Sequence, residues 1–280
     1  MGRAPFSLTQ ENYNMLTLAA LRAKPHTSVS ELKSFLSCPR SHFYRYIKYA
    51  RPAFRALALV FGSAWHATIA KHLTRSRREL HVPVDELRAH LRDGLIRGVD
   101  RDDVPVLFEE EEQDVGTVID VAMRMLDVFL ARVPLPEQVH GVEVPFSLKL
   151  VHPVTREVHP VPLVGAIDAI VEDRGRPAIW ELKTGKRRWS VDQLDFDLQP
   201  TAYGMASRAL GYKDARLTLI VTTKGKQPDV QVEHLARHRR DELELVETAF
   251  AVARAVKAGV DYPNRGWQCR TCPYAHACAS

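Results

Sequence analysis

Along the first half of the chain apolar residues recur at spacings of three and four, the period at which side chains share one helix face. The first such stretch opens at Ser28. Ser28 with Glu31 three residues on has the form of a capping box, and Leu32, Phe35 and Leu36 supply the apolar stripe. Cys38-Pro39 interrupts it, since proline lacks a backbone donor and clashes inside a continuing helix. A second helical stretch over 40–49 carries Phe43, Tyr44, Tyr46 and Ile47, and further helical patterns run over 54–73, 83–98 and 112–132. Near residue 140 the period changes to two. Residues 142–150 alternate, 161–171 are rich in Val, Ile and Ala, and 177–183 form a short apolar run that ends in polar groups. A helix over 192–210 closing at Gly211, strands over 216–222 and 230–236, and a long helix over 241–258 follow. The order strand, strand, strand, helix, strand, strand, helix predicts an α/β fold: a mixed central sheet flanked by helices.

The length of 280 residues suits one large domain, or a core domain with an elaborated helical part. Hydrophobic residues at 45% and charged residues at 26% exclude a disordered chain. No run approaches the ~20 apolar residues of a spanning helix, so no membrane association is expected. Polar and acidic residues precede the short apolar patch at 15–21, which argues against a secretory signal; the expected location is cytoplasmic. The net charge of +5 is clustered at 75–78 (RSRR), 186–188 (KRR) and 237–240 (RHRR). Each cluster reads first as a solvated face, but together they are compatible with a DNA phosphate backbone as partner. Lys186, Arg187 and Arg188 are the ones placed to track phosphates, because they directly follow the strand that carries the chemistry.

That strand contains Glu181-Leu182-Lys183-Thr184-Gly185. Alternation puts Glu181 and Lys183 on one face and Leu182 on the other. The preceding strand holds a single acid, Asp168, in an otherwise apolar run, where an ionised carboxylate costs several kcal/mol unless paired or bound to metal. If the two strands are hairpin neighbours, Asp168 and Glu181 converge on one divalent cation, with the Leu182 carbonyl as a further oxygen ligand. Hard oxygen donors suit Mg²⁺ or Mn²⁺. Lys183 then lies beside the attacking water, placed to orient it or to stabilise charge building on a phosphate. Alone, a Glu-x-Lys on a strand reads as a surface ion pair; the conjunction of motifs is what carries weight. Four cysteines fall as one plus three: Cys38, then Cys269, Cys272 and Cys278. In a reducing compartment that grouping reads as metal ligation rather than disulfides, and four thiolates can hold zinc or an iron–sulfur cluster.

The series resembles the RecB-like branch of the PD-(D/E)XK nuclease superfamily, which includes CRISPR-associated RecB-like exonucleases and AddAB-type nuclease domains. The carriers are Gly165-x-x-Asp168, then Glu181-x-Lys183-Thr184-Gly185, an upstream Gly62-x-x-x-His66 and a downstream Gln199-x-x-x-Tyr203, in unbroken order over residues 28–278. The resemblance implies a metal-dependent deoxyribonuclease acting on single-stranded DNA or DNA with free ends, in repair, recombination or CRISPR adaptation. It further implies His66 as a nitrogen ligand beside Asp168, Glu181 and the Leu182 carbonyl, Lys183 as the catalytic lysine, and Gln199 and Tyr203 as supporting residues. Glu143 is open between a solvated position on an edge strand and a place near the site, as in some family members. The split cysteines resemble that family's four-iron four-sulfur staple, with zinc the alternative. Implied organisation is an N-terminal extension (1–27), a helical subdomain bearing the first cysteine and His66 (28–136), a restriction-endonuclease-like core (137–262) and a cluster-binding segment (263–280). The sequence carries no P-loop, so any helicase or CRISPR adaptation protein is a partner chain. The rival reading is a non-catalytic nucleic-acid-binding scaffold subunit of such a complex.

Overall fold

The computed structural model describes residues 17–78, 82–101, 104–108 and 114–278. The expected N-terminal extension up to residue 16, and the first two residues of the helix expected from 112, lie outside them. Helix α1 (Leu18–Arg22) leads to α2 (Val29–Ser37), whose N-cap Ser28 accepts the N–H of Glu31, as the capping pattern predicts. Cys38 ends α2 and Pro39 opens α3 (Pro39–His42), which runs into a π-helical turn, Phe43–Ile47. Two short strands, β1 (Arg55–Ala56) and β2 (Val106–Leu107), pair in parallel. Between and after them come α4 (Leu57–Ser76), α5 (Val84–Asp100) and α6 (Val115–Arg132).

The central sheet has five strands in the order β3 (Gln138–Leu148), β4 (Leu163–Asp173), β5 (Arg176–Gly185), β6 (Arg216–Thr223) and β7 (Val230–Leu235). All neighbours are antiparallel except β5 and β6, which are parallel. That parallel pair needs a crossover, and α7 (Val191–Phe196) and α8 (Leu198–Ala209) supply it. Helix α9 (Arg239–Lys257) follows β7, and a 3₁₀ turn (Trp267–Thr271) and α10 (Ala275–Cys278) complete the chain. The β4–β5 turn is Arg174-Gly175 with φ of 53° and 67°, the pair of positive values a tight two-residue hairpin requires.

Each face of the sheet is covered by helices, so its strands are apolar on both sides. On one face Ala169, Val171, Ala178, Trp180 and Leu182 pack with α4, α5 and α6; Trp65 of α4 is fully buried, edge-on to Phe129 of α6. On the other, Ile167, Ile179, Phe146 and Leu217 pack with Leu32 of α2, Tyr203 of α8 and Phe250 of α9. Among the described residues no helix is long and apolar enough to cross a membrane.

One expected element is corrected. The helix read over 192–210 is two helices that break at Asp197, which leaves the helical region and caps α8 by accepting the N–H of Gln199 at 2.7 Å. The cap is therefore Asp197. Pro200 sits in the first turn, where a missing N–H costs nothing because that N–H has no intrahelical partner.

Candidate active site

The site lies where β4 and β5 part. Their register runs from Asp173 opposite Arg176 to Ala169 opposite Trp180 and stops there. One step further Asp168 replaces the ladder with its side chain: Oδ2 accepts the Leu182 N–H at 2.7 Å. A strand residue's carbonyl leaves toward the same neighbour as its N–H, so the Leu182 oxygen also faces this opening. Strict alternation on β4 breaks at the same point, because Ile167 and Ile170 belong to one core and Ala169 and Val171 to the other.

The distortion has a counterpart on β3. Glu143 has φ of 51°, a left-handed conformation that costs a non-glycine residue of order 1–3 kcal/mol. It lies between the pairs Val142–Ala169 and Val144–Ile167, which sets it across from Asp168. Helix α4 brings in His66, whose Nδ1 is 3.5 Å from Asp168 Oδ1. Ligand atoms of His66, Glu143 and Asp168 all fall within 4.8 Å of one another. Glu143 is thus an exposed residue on the edge strand whose carboxylate nonetheless reaches the site. Sequence left both positions open for it, since its approach to Asp168 comes from the backbone conformation and the β3–β4 register.

Glu181 and Lys183 occupy the adjoining position, on the same face of β5 as Ile179. Glu181 is 3% exposed, and neither of its oxygens has a well-angled hydrogen bond among the described residues. Its one compensating contact is an ion pair, Oε1 lying 2.8 Å from Lys183 Nζ. Lys183 also donates to Gln199 Oε1 at 2.8 Å; Gln199 Nε2 donates to Tyr203 OH at 2.8 Å, and that hydroxyl points to Asp168 Oδ1 at 3.4 Å. Gln199 and Tyr203, four apart on α8, share one helix face as the motif spacing predicts. Glu181 is not within the tight trio of His66, Glu143 and Asp168.

The electrostatics follow from this crowding of acids. Burial pushes Glu181 up against the pull of Lys183. Burial, then repulsion from Asp168, raises Glu143, with His66 and Arg22 opposing. Burial would lower His66, but Asp168 outweighs it and the imidazole is raised. Burial likewise opposes the charge on Lys183, yet Glu181, Asp168 and Asp197 hold it above its ordinary value. Tyr203 is raised well above its usual range by burial and the neighbouring Asp168 and Glu181, so it serves as a hydroxyl donor and not an anion.

Two motif glycines behave differently. A Cβ on Gly165 would come within 2.6 Å of the Phe146 ring, which packs edge-on to Tyr203, so this glycine holds the site's floor together. A Cβ on Gly62 would meet nothing within 4 Å. Gly62 lies one turn before His66 on the same face of α4, and a mid-helix glycine costs about 0.5–1 kcal/mol relative to alanine. No packing contact accounts for it, and the space beside it is open.

One arginine of each basic cluster is committed within the fold. Arg75 pairs with Glu86, Arg188 with Asp229 at 2.7 Å, and Arg237 donates to the carbonyl of Leu194 and to Thr201. Lys186 and Arg187 are exposed at the end of β5.

The four cysteines come together far from this site. None forms a disulfide, and all line one cavity of about 80 Å³ with Arg40, Ser41, Tyr44 and Tyr274. Backbone N–H groups of Asn264 and Gly266 donate to the sulfurs of Cys38 and Cys269 at 3.4 and 3.5 Å. Around them the two ends of the described chain are stitched by hydrogen bonds: Tyr44 OH to the Ala277 carbonyl, Arg40 N–H to the Tyr262 carbonyl and Asn264 Nδ2 to the Ser37 carbonyl.

The family model of the PD-(D/E)XK nuclease superfamily matches residues 26–279. A crystal structure of a protein from Eubacterium rectale, provisionally named as an exonuclease, superposes with a TM-score of 0.50 at 16% identity, covering 96% of this chain and 93% of that one. The crystal structure of SSO0001 superposes at 0.40 and 16% identity, covering 92% and 89%. Likeness at such identity shows the fold alone. No curated protein matches the sequence.

Proposed function

Because the chain belongs to the PD-(D/E)XK nuclease superfamily, we propose that it is a RecB-like, divalent-metal-dependent deoxyribonuclease that works on single strands or free DNA ends. The observation that carries this reading is the convergence of His66, Glu143 and Asp168 within 4.8 Å, next to the buried Glu181–Lys183 pair. The donor set fits a cation: three carboxylates in a half-buried cleft, one of them with unsatisfied oxygens, would otherwise be a net cost. His66, Glu143 and Asp168 would hold Mg²⁺ or, favoured by the imidazole, Mn²⁺, with Glu181 and the Leu182 carbonyl as the remaining protein donors. When bound, the cation supplies Lewis acidity toward the phosphate and lowers the pKa of the attacking water.

The rest is done by the chain. Lys183, fixed between Glu181 and Gln199, presents an ammonium that is protonated at neutral pH and stabilises charge building on the scissile phosphate. Tyr203 and the Leu182 N–H fix the rotamer of Asp168 from two sides. Gly62 leaves space for the sugar-phosphate chain beside His66, and Lys186 and Arg187 extend positive charge away from Lys183 along its path. End-labelled linear and circular single strands, incubated with Mn²⁺, test the reading: degradation of the linear strand supports it, and resistance of both to the metal-loaded protein refutes it.

A pH dependence follows from the raised groups. His66, Glu143 and Glu181 keep their protons to higher pH than usual, and a proton must leave each before it can ligate. Protons therefore compete with the cation, at His66 upward of its ordinary value near 6.5, and Mn²⁺ affinity is expected to rise on going from about pH 6 to about pH 8. Calorimetric titration checks this; the same affinity at both values contradicts it.

For the cysteines we infer a four-iron four-sulfur cluster. The cluster reading is supported by four free cysteines that line one cavity, split one plus three as in the family's staple. Its part is to tie α2 to the C-terminal segment. Anaerobically purified protein is expected to contain iron and acid-labile sulfide in equal amounts, and Cys272→Ser to lose both and unfold at lower temperature; stoichiometric zinc with no sulfide contradicts the assignment.

A further inference from the structure

We propose that Lys33 and Asp197 are positioning residues for Lys183, which makes the helix that ends at Cys38 part of the active-site framework. The inference rests on the reading of Lys183 as the catalytic lysine. Lys33 lies on α2, and its Nζ is 2.5 Å from Asp197 Oδ2. The other oxygen of the same carboxylate, Oδ1, accepts the backbone N–H of Gln199. Asp197 is 11% exposed at its side chain, so the pair is largely sheltered on the acid's side.

What Asp197 holds is the root of Gln199. The side chain of Gln199 then has no freedom left: its carbonyl oxygen accepts from Lys183 and its NH₂ donates to Tyr203, so both ends of the amide are assigned. Tyr203 in turn meets Asp168. One carboxylate thus sits upstream of both the lysine and the central metal-site acid. The need for an external anchor is visible in the fold, because the α7–α8 break at Asp197 leaves the first turn of α8 unsupported by a continuous helix. Arg237, donating to the Leu194 and Asp197 carbonyls, steadies the backbone of that break, and Lys33 steadies the cap itself.

Helix α2 is in turn held at both ends. Val29 and Leu32 lie in the core with Tyr203 and Ala206, and Cys38 ends the helix at the cysteine cavity. Lys33 stands between these anchors. If its only role were a surface ion pair, its removal would pass unnoticed by the reaction.

The test uses Lys33→Met, Asp197→Asn, their combination and Lys33→Arg. Asparagine caps helices as well as aspartate, so Asp197→Asn removes the charge and keeps the cap. Cleavage of labelled single-stranded DNA with Mn²⁺ is expected to lose kcat by about 10- to 100-fold in each single variant. KM, Mn²⁺ affinity and melting temperature stay unchanged. The double variant is no worse than either single one, because both break one link, and Lys33→Arg restores most of the rate. Wild-type rates in both single variants, or losses that multiply in the double, overturn the proposal. Crystal structures of the variants give a readout that needs no activity: Gln199 is expected to swing off Lys183, and an unchanged contact overturns the proposal even if the wild-type protein cuts nothing. Wild-type inactivity with a displaced Gln199 would instead sink the nuclease reading and leave the positioning intact.

Discussion

Lys183→Ala is expected to fold, to bind Mn²⁺ and to cleave DNA about 10²–10³-fold more slowly than the wild-type protein, the usual loss when one preorganised donor to developing charge is removed. The argument is geometric. The ammonium is not placed as a metal ligand, since it is held by Glu181 and Gln199 at 2.8 Å each. Its removal therefore leaves the His66, Glu143 and Asp168 trio intact. It does leave Glu181 buried without its cation, and breaking a buried pair at one partner costs about 3–5 kcal/mol when the remaining charge cannot adapt. Glu181 can adapt, because burial already raises its pKa and it can take up a proton. The variant should accordingly melt lower than wild type in chelator and recover when Mn²⁺ replaces the missing positive charge. Single-turnover cleavage and melting curves with and without Mn²⁺ measure both effects. Full activity in Lys183→Ala removes the lysine from the mechanism.

Asp168→Asn is expected to weaken Mn²⁺ binding by more than ~100-fold, beyond the loss typical of an outer-shell partner, and to abolish cleavage with it. One group on the side chain changes, yet both His66 and Glu143 register it. The Leu182 N–H keeps an acceptor, so the local backbone holds. His66 loses the partner that raises it, and its pKa falls toward the ordinary value or below as burial takes over. Glu143 loses its chief like-charge neighbour and falls also. Without metal, the variant sheds repulsion between crowded acids, so its melting temperature should not drop below that of the wild type, the trade expected where a site is built for function rather than stability. Imidazole titration by NMR, Mn²⁺ calorimetry and thermal melts check the three parts. A variant that binds Mn²⁺ as tightly as wild type contradicts the role given to Asp168.

The sheet was legible because its strands are runs rich in Val, Ile and Ala, with alternation at 142–150 marking the first of them. The helix break at Asp197 was hidden, since apolar spacing continues across it and a cap residue looks like any exposed acid until its hydrogen bond is seen. Glu143 stayed open in the sequence for a different reason: its approach to Asp168 comes with a left-handed backbone that no local propensity favours for glutamate. Of the basic clusters, Arg75, Arg188 and Arg237 spend their charge on Glu86, on Asp229 and on helix-end carbonyls, in line with the reading of each cluster first as part of the fold's own surface. Nothing in a linear sequence distinguishes a cation committed within the fold from one left for a partner.

Among possible experiments, anomalous diffraction from a crystal soaked in Mn²⁺ bears most directly on the constellation of acids and imidazole. The expected map has one manganese peak in coordination contact with His66 Nδ1, Asp168 and Glu143, next to Lys183. A peak elsewhere, with the space among those three side chains empty at saturating metal, would contradict it.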